Sequence, residues 1–260
     1  MEFCIISPTA GLELFATRSK THMTLAPQVV GDTEYLRFYI KQRDSGDFIL
    51  MDNGVYESDY SEIRFLAALD TLKPNVAVLP DVICKSAEST KRSLDFYRKF
   101  GSQFPFVKWM FIPQGKTLTG WKASFQCYVD HMDPNNTWLG LTRFLPTHVC
   151  PNDPLIRVKL AKEIKDHFPQ LPIHCMGMAD GDVNELDLLA KQGLVYSIDS
   201  SAPVWRGWLG YPIKDRTAWR ENDGPPVDFG ATLDDAYLET ARKNLEVCLD
   251  KCKPTQAVRS

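Results

Sequence analysis

Four short apolar runs of this 260-residue chain end on a polar side chain that could do chemistry. Asp52 follows FILM, Asp81 follows VAVLP, Gln114 follows WMFIP and Asp199 follows VYSI. Carboxylates crowded at the edge of an apolar core acquire different pKa values, so that one acts as a nucleophile while another acts as an acid or a base. Taken singly, an aspartate after a strand is usually a turn former or a helix cap, so only the whole set indicates catalysis.

The elements that would position these residues alternate regularly along the chain. Eight apolar runs of strand length occur, at 3–7, 24–30, 48–52, 76–81, 109–114, 137–142, 172–177 and 195–199. Amphipathic patterns typical of helices lie between them, at 58–72, 86–100, 119–131, 153–168 and 180–192. Runs that are apolar on both faces favour a parallel sheet covered by helices. We therefore expect an α/β fold, a single-domain (β/α)₈ TIM barrel over residues 1–260, with a doubly wound open sheet as the alternative.

Two regions depart from this alternation. Pro27 interrupts the second run, which is the weakest of the eight predicted strands. The segment at about 203–230 is rich in Trp, Arg, Gly and Pro and predicts a long functional loop, and a final amphipathic helix is predicted at about 232–252. In a TIM barrel the catalytic groups lie at the carboxyl ends of the strands, so the four polar strand ends would converge on one mouth.

Composition narrows the functional classes. The formal net charge of −3 gives no overall basic field, so any contact with nucleic acid has to be local. The first residues carry no signal-peptide pattern, and no apolar stretch approaches the roughly 18 residues of a membrane span. The seven cysteines are odd in number and scattered, a pattern typical of reduced thiols. These features predict a cytoplasmic protein.

In order and spacing, the strand-end motifs resemble those of the tRNA-guanine transglycosylase family. The DSGGFQ-type motif of that family is similar to Asp52-Asn53-Gly54-Val55-Tyr56-Glu57, and its FDE-type strand end is similar to Leu79-Pro80-Asp81. The VQGG-type end resembles Ile112-Pro113-Gln114-Gly115, and the GLAVGE-type motif resembles Leu139-Gly140-Leu141-Thr142.

The nearest likeness comes last in the chain. Family members carry LMGVG, a helix, and then GVDMFDC; here Cys175-Met176-Gly177-Met178 is followed by a predicted helix and by GLVYSIDS at 193–200. The resemblance covers about 48–203. Each motif is weak alone, and the ordered set is fairly specific.

The resemblance implies base exchange at a nucleotide. Asp199 matches the nucleophile that attacks the sugar C1′ and forms a covalent glycosyl-enzyme, and Asp52 matches the general acid/base. The other matched positions would bind the base: Asp81 and Gln114 at its edge, Gly140 and Leu141 at its carbonyl oxygen, and Tyr56 and Met176 at its flat faces. Gly115 and Gly177 are also expected to be base-binding positions.

Departures from the family indicate DNA as the polymer. The tRNA enzymes carry a zinc site of CxCxxC plus a distant histidine, whereas this chain has only Cys248 and Cys252 near its end, on one predicted helix face, and no histidine after His174. The chain is also shorter, and SSAPVWRGW follows Asp199 in place of a basic PTR-type segment. It therefore resembles the compact, zinc-less homologues of bacteriophage and bacterial DNA-modification systems.

The implied activity is the replacement of guanine in DNA by a 7-deazaguanine such as preQ0, without a metal or redox cofactor. The expected partners are DNA and the free base, and a homodimer or a helper protein is left open. Basic and aromatic residues near the mouth would hold the nucleic acid, namely Arg143, Trp205, Arg206, Trp208 and Arg216. The tryptophans equally fit a role in packing the loop onto the barrel.

Three alternatives remain at this point. The same chemistry could act on tRNA. The chain could instead be a non-catalytic homologue that binds nucleic acid, although the presence of both Asp52 and Asp199 argues against this. A barrel glycosidase unrelated to the family could also use two carboxylates.

Overall fold

Strands and helices alternate along the chain in a computed structural model, which describes residues 1–56, 60–133, 136–178, 183–213, 227–232 and 235–253. The strands are β1 (Glu2–Ile5), β2 (Thr21–Leu25), β3 (Phe48–Asp52), β4 (Val76–Val78), β5 (Lys108–Phe111), β6 (Thr137–Thr142), β7 (Ile173–Met176) and β8 (Ser197–Ser200). All hydrogen-bonded pairs among them are parallel, in the order β1-β8-β7-β6-β5-β4-β3-β2. Because β1 and β2 also lie side by side, the sheet forms a nearly closed barrel, which confirms the predicted TIM-barrel fold.

Helices connect the strands and cover the outer face of the barrel. They are α1 (Leu12–Phe15), α2 (Ala26–Gly31), α3 (Thr33–Asp44), α4 (Glu62–Leu72), α5 (Ser86–Phe100), α6 (Leu118–His131), α7 (Ile156–His167), α8 (Val183–Lys191), α9 (Ala202–Trp208) and α10 (Leu238–Cys252). The five predicted internal helices correspond to α4 through α8, and the predicted C-terminal helix corresponds to α10. Cys248 and Cys252 are both buried on α10.

Two predicted boundaries were wrong. The second strand was expected at 24–30, but β2 ends at Leu25 and α2 begins at Ala26. Pro27 lies in the first turn of α2, where a backbone N–H would have no helical partner in any case. The long loop expected at 203–230 begins instead as helix α9, and residues 214–226 lie outside the described part of the chain.

Side-chain alternation along the strands divides the buried residues into two layers. The barrel interior is an apolar cluster formed by Cys4, Ile6, Met23, Leu50, Val76, Val78, Met110, Ile112 and Trp138. A larger cluster fills the space between the sheet and the helices. Asp52 follows Leu50 by two residues in β3, and Asp199 pairs in register with Cys4, so both carboxylates face the interior.

Helices α9 and α10 pack closely because of a glycine at their contact. A Cβ atom added to Gly207 would lie 2.3 Å from Ala241 Cα, a distance at which one helix has to move. The side chain of Asn244 on α10 also donates to the carbonyl oxygens of Pro203 and Tyr211, at 3.3 and 2.9 Å. The C-terminal helix therefore fixes the segment that follows β8.

We expect Gly207→Ala to destabilise the protein by about 1–3 kcal/mol, because the added methyl group overpacks the contact between α9 and α10. Gly31→Ala is the matched control, since a Cβ at that helical position meets nothing within 4 Å. Its free energy of unfolding should change by less than about 0.5 kcal/mol. Urea denaturation measures both, and equal stabilities for the two variants would contradict the packing argument.

Candidate active site

The four polar strand ends singled out in the sequence meet at the carboxyl-terminal rim of the barrel. Asp52 ends β3 and is half-buried, and Asp199 lies in β8 with 7% of its surface exposed. Asp81 and Gln114 follow β4 and β5, with 2% and 3% exposed. Parallel strands bring all their carboxyl ends to the same side, so a single mouth contains the whole set.

Asp81 is the centre of a buried hydrogen-bonded cluster on the β3–β5 side of the mouth. Its Oδ2 accepts from Gln114 Nε2 at 2.6 Å, and its Oδ1 accepts from Asn53 Nδ2 at 2.9 Å. Burial raises the pKa of the Asp81 carboxyl, and the hydrogen bonds from Asn53 and Gln114 offset only part of that rise. The cluster therefore holds a buried carboxyl group with a raised pKa beside two carboxamides.

Asn53 also shapes the loop that follows β3. Its Oδ1 accepts from the Val55 backbone N–H at 2.8 Å, while its Nδ2 donates to the Leu79 carbonyl oxygen at 3.0 Å. Gly54 has φ +76, and a Cβ there would lie 2.4 Å from the Pro27 ring. Sequence reasoning did not assign Asn53 a role, although its place beside Asp52 in an Asn-Gly pair marks a turn that only a small residue can complete.

The orientation of the Gln114 carboxamide is fixed from both ends. Its Oε1 accepts from the Cys84 backbone N–H at 3.0 Å while its Nε2 donates to Asp81. Gly115 has a packing role here: a Cβ at that position would lie 2.5 Å from the Trp121 backbone nitrogen of α6. The close approach of this loop to α6 therefore explains the glycine that follows Gln114.

Asp199 is held asymmetrically on the opposite side of the mouth. Its Oδ1 accepts from the Gly177 backbone N–H and lies within hydrogen-bond distance of His174 Nε2, both at 2.9 Å. Its Oδ2 takes part in no hydrogen bond with the described residues, and the side chain is 10% exposed. Among the described residues, therefore, one oxygen of this carboxylate is anchored and the other is not.

His174 extends this arrangement into the barrel. Its Nδ1 lies 2.7 Å from Ser197 Oγ, and both residues are fully buried. Serine, histidine and aspartate thus follow one another as in a serine hydrolase, but Ser197 lies at the inner end, out of reach of a substrate. The group that reaches the mouth is the Asp199 carboxylate. Sequence reasoning noted His174 only in connection with zinc.

A fully buried ion pair supports the strand ends beneath Asp199. Arg157 of α7 forms a bidentate pair with Glu185 of α8, with Nε to Oε1 at 2.8 Å and a second contact between Nη2 and Oε2. Burial opposes the charge of Arg157, yet the field of Glu185 and its hydrogen bonds outweigh that effect and raise the pKa of the guanidinium. Arg157 Nη1 also donates to the Gly177 carbonyl oxygen at 2.8 Å.

Arg157 Nη1 further contacts the carbonyl oxygens of Leu141 and Met176, at 3.2 and 3.3 Å. The Gly177 peptide is therefore held by Arg157 at its oxygen, and the backbone N–H of the same residue donates to Asp199. Gly177 has φ +69, a conformation that favours glycine. This support was not foreseen because nothing in the sequence pairs positions 157 and 185.

The two residues expected to sandwich a base, Tyr56 and Met176, lie in different surroundings. Tyr56 is 55% exposed, but Arg143 covers its ring at 4.7 Å and donates from Nη2 to its hydroxyl oxygen at 2.5 Å. Met176 packs against the apolar interior of the barrel. Gly140 faces that interior too, and a Cβ there would lie 2.8 Å from Ile112 Cγ1. Tyr56 and Arg143 thus form a stacked pair that links the loops after β3 and β6.

The residues expected to hold nucleic acid lie in different parts of the protein. Trp205 and Trp208 are buried, with 7% and 5% exposed, and Trp208 belongs to the core between sheet and helices. This placement agrees with the alternative role of the two rings in packing the segment onto the barrel. Arg206 is half-buried on α9, and Arg216 lies outside the described residues. Of the expected nucleic-acid contacts that the structure describes, Arg143 is the one that lies at the mouth.

No group of three or more His, Cys, Asp or Glu side chains in the described ranges is arranged to hold a metal ion. Among the described helices, none combines the length and apolar composition needed to cross a bilayer. Comparison with protein-family models gives no match, and no curated protein matches the chain.

We expect Arg157→Met to destabilise the protein by about 3–5 kcal/mol, because it leaves the Glu185 carboxylate buried without a partner. The double variant Arg157→Met with Glu185→Leu removes both charges and should recover most of that loss. Urea denaturation of the wild type and the two variants measures the difference. If the double variant were as unstable as the single one, the loss would come from the released carbonyl groups and not from an unpaired carboxylate.

Proposed function

We propose that this protein is a base-exchange transglycosylase that replaces guanine in DNA with a 7-deazaguanine such as preQ0. The observation that carries the proposal is the state of Asp199: its Oδ1 is held by two neighbours, and its Oδ2 has no hydrogen-bond partner among the described residues. A carboxylate fixed in this way has a defined direction of attack. The likeness of the strand-end motifs to the tRNA-guanine transglycosylase family assigns the nucleophile to the same residue.

The reaction divides into two displacements at the sugar C1′. In the first, Asp199 Oδ2 forms a bond to C1′ while the bond from C1′ to N9 of guanine breaks and its electron pair leaves with the base. Asp52 in its acid form supplies the proton that neutralises the departing base. The anionic carboxylate also stabilises the oxocarbenium character that C1′ acquires in the transition state.

The second displacement restores the enzyme. The Asp52 carboxylate accepts the N9 proton of the incoming 7-deazaguanine, and N9 attacks C1′. The bond from C1′ to Asp199 Oδ2 then breaks, and its electron pair returns to the carboxylate. Both residues finish in their starting protonation states, so the exchange needs no oxidant, reductant or external energy source.

The cluster around Asp81 suits recognition of a guanine-like edge. Each Asp81 oxygen accepts one hydrogen bond from a carboxamide and keeps a further lone pair for a base N–H. The cluster is buried at a mouth whose floor is apolar, where hydrogen bonds discriminate strongly between bases that satisfy them and bases that do not. A 7-deazaguanine keeps the same pyrimidine edge as guanine, so one cluster serves both the leaving and the incoming base.

DNA is the proposed polymer because the segment that follows Asp199, SSAPVWRGW, differs from the basic PTR-type segment of the tRNA enzymes. Arg143 has no carboxylate partner among the described residues and is available to a phosphate near the mouth. The target nucleotide has to leave the base stack before C1′ can be attacked. The burial of Trp205 and Trp208 means that neither serves as the residue that replaces the extruded base.

We expect labelled 7-deazaguanine to enter DNA with the wild-type protein and to remain unincorporated with Asp199→Asn. Asp52→Asn should lower the rate by roughly 10²- to 10⁴-fold, the usual contribution of a general acid/base. Asp70→Asn is the control, because Asp70 is an exposed carboxylate on the outer helix α4. Incorporation is measured with duplex DNA, single-stranded DNA and tRNA as separate acceptors.

Each polymer gives a distinct outcome. Label in tRNA alone would overturn the choice of DNA and keep the chemistry. Label in no polymer, with Asp199→Asn folded as the wild type is, would overturn base exchange and favour a protein that only binds nucleic acid. Hydrolysis of simple glycosides that depends on Asp52 and Asp199 would identify a glycosidase instead. An active Asp199→Asn variant would contradict the assignment of the nucleophile.

A further inference from the structure

We infer that His174 is a positioning residue for the Asp199 carboxylate, which selects Oδ2 as the atom that forms the glycosyl bond. The inference deepens the proposed function and rests on it for the identity of the reaction. It depends on the line of three side chains that runs from Ser197 through His174 to Asp199, inside the barrel between β7 and β8.

The hydrogen-bond partners define the tautomer of His174. An ionised Asp199 only accepts, so the contact of 2.9 Å to His174 Nε2 requires a proton on Nε2. In the neutral ring Nδ1 is then an acceptor, and the Ser197 hydroxyl at 2.7 Å is its donor. Ser197 therefore fixes the tautomer, and the tautomer supplies the donor that holds Asp199 Oδ1.

Both hydrogen bonds of His174 lie out of contact with water. Ser197 and His174 are fully buried, so water cannot replace either hydrogen bond. The Gly177 backbone N–H contacts the same oxygen, Oδ1, from the rim of the barrel. Two donors therefore contact Oδ1, and none of the described residues donates to Oδ2. The two oxygens of the carboxylate are thus in different environments. Without His174 Nε2, a single contact would remain, and the carboxylate could rotate about its terminal torsion angle, which has a broad energy minimum.

The positioning of Asp199 should affect the rate of covalent attack more than it affects the affinity for DNA. His174 lies beneath Asp199 and is fully buried, so it does not touch the nucleic acid or the incoming base. Its removal should lower the rate of covalent attack because a nucleophile that samples several orientations reacts more slowly than an aligned one. The affinity for DNA should remain the same.

Two amide replacements of His174 separate a positioning role from a packing role. In His174→Gln the amide nitrogen lies near the place of Nε2 and can still donate to Asp199. In His174→Asn the shorter amide reaches only the place of Nδ1, on the side of Ser197. The decisive comparison is between these two variants. His167→Asn is the surface control, because His167 is exposed at the end of α7.

The first experiment measures the single-turnover rate of the covalent protein–DNA adduct, the Kd for the same DNA and the Tm of each variant. We expect His174→Asn to form adduct at least about 100-fold more slowly than the wild type, with an unchanged Kd, and His174→Gln to stay within about 10-fold. Equal rates for the wild type and His174→Asn would overturn the inference. Equal losses in the Gln and Asn variants, at equal Tm, would also overturn it and leave only a packing role.

The second experiment does not depend on the proposed function. Imidazole ¹⁵N chemical shifts of the free wild-type protein report which ring nitrogen of His174 carries the proton. We expect protonated Nε2 and unprotonated Nδ1, and a loss of this fixed pattern in Ser197→Ala. A proton on Nδ1 alone would overturn the inference. The expected tautomer in a protein that labels no polymer would support the positioning of Asp199 and contradict the transglycosylase assignment.

Discussion

The buried charge of Arg157 is the constraint on which the rim of the barrel depends. A guanidinium away from water has to satisfy its donors within the protein, and here Glu185 and three backbone carbonyl groups accept from it. Those carbonyl groups belong to the ends of β6 and β7, so the ion pair joins two helices to two strands. Gly177 is one of the residues held, and its N–H in turn contacts Asp199. The position of the candidate nucleophile therefore follows from a charge that lies on the outer side of the sheet.

The mouth contains two polar networks with different physical roles. Around Asp81, both carboxylate oxygens accept hydrogen bonds and burial raises the pKa, so the group is suited to recognition and not to attack. Around Asp199, the donors that the structure describes contact a single oxygen, Oδ1. Asp52 ends β3 and directly precedes Asn53, so it lies at the edge of the Asp81 network. The separation explains how several acidic residues near one apolar floor can have distinct tasks.

The sequence was sufficient to predict the barrel because periodicity and strand-end polarity are local properties. Runs such as 48–52 and 137–142 are apolar on both faces and appear as strands with nearly the expected bounds. Pro27 correctly indicated that the second predicted strand was weak, although its place in the first turn of α2 was not foreseen. The local pattern therefore located these polar strand ends to within about three residues, since β4 ends at Val78 and β5 at Phe111.

The remaining features depend on contacts between distant positions. Arg157 and Glu185 each fit an ordinary amphipathic helix, and only the packing of α7 beside α8 makes them a buried pair. His174 lies in an apolar run whose inward face becomes significant only when Ser197 and Asp199 are placed beside it in register. For Trp205 and Trp208 the sequence alone is ambiguous, because neighbouring Trp and Arg residues have the composition of a nucleotide-binding loop whether the rings face solvent or the core. In the structure both rings are buried.

The pair formed by Tyr56 and Arg143 determines what a base would have to displace. A guanidinium over an exposed aromatic ring contributes about 0.5–1 kcal/mol, whereas stacking of a nucleic-acid base on an aromatic ring contributes about 1–3 kcal/mol. Arg143 also loses its hydrogen bond to the Tyr56 hydroxyl, which contributes about 0.5–1.5 kcal/mol, so a base that reaches Tyr56 gains about as much as Arg143 loses when it leaves the ring. Arg143 is anchored by its backbone N–H to the Met176 carbonyl oxygen at 3.0 Å, so its displaced side chain remains at the mouth. In the proposed reaction the guanidinium would then face the phosphates that flank the extruded nucleotide.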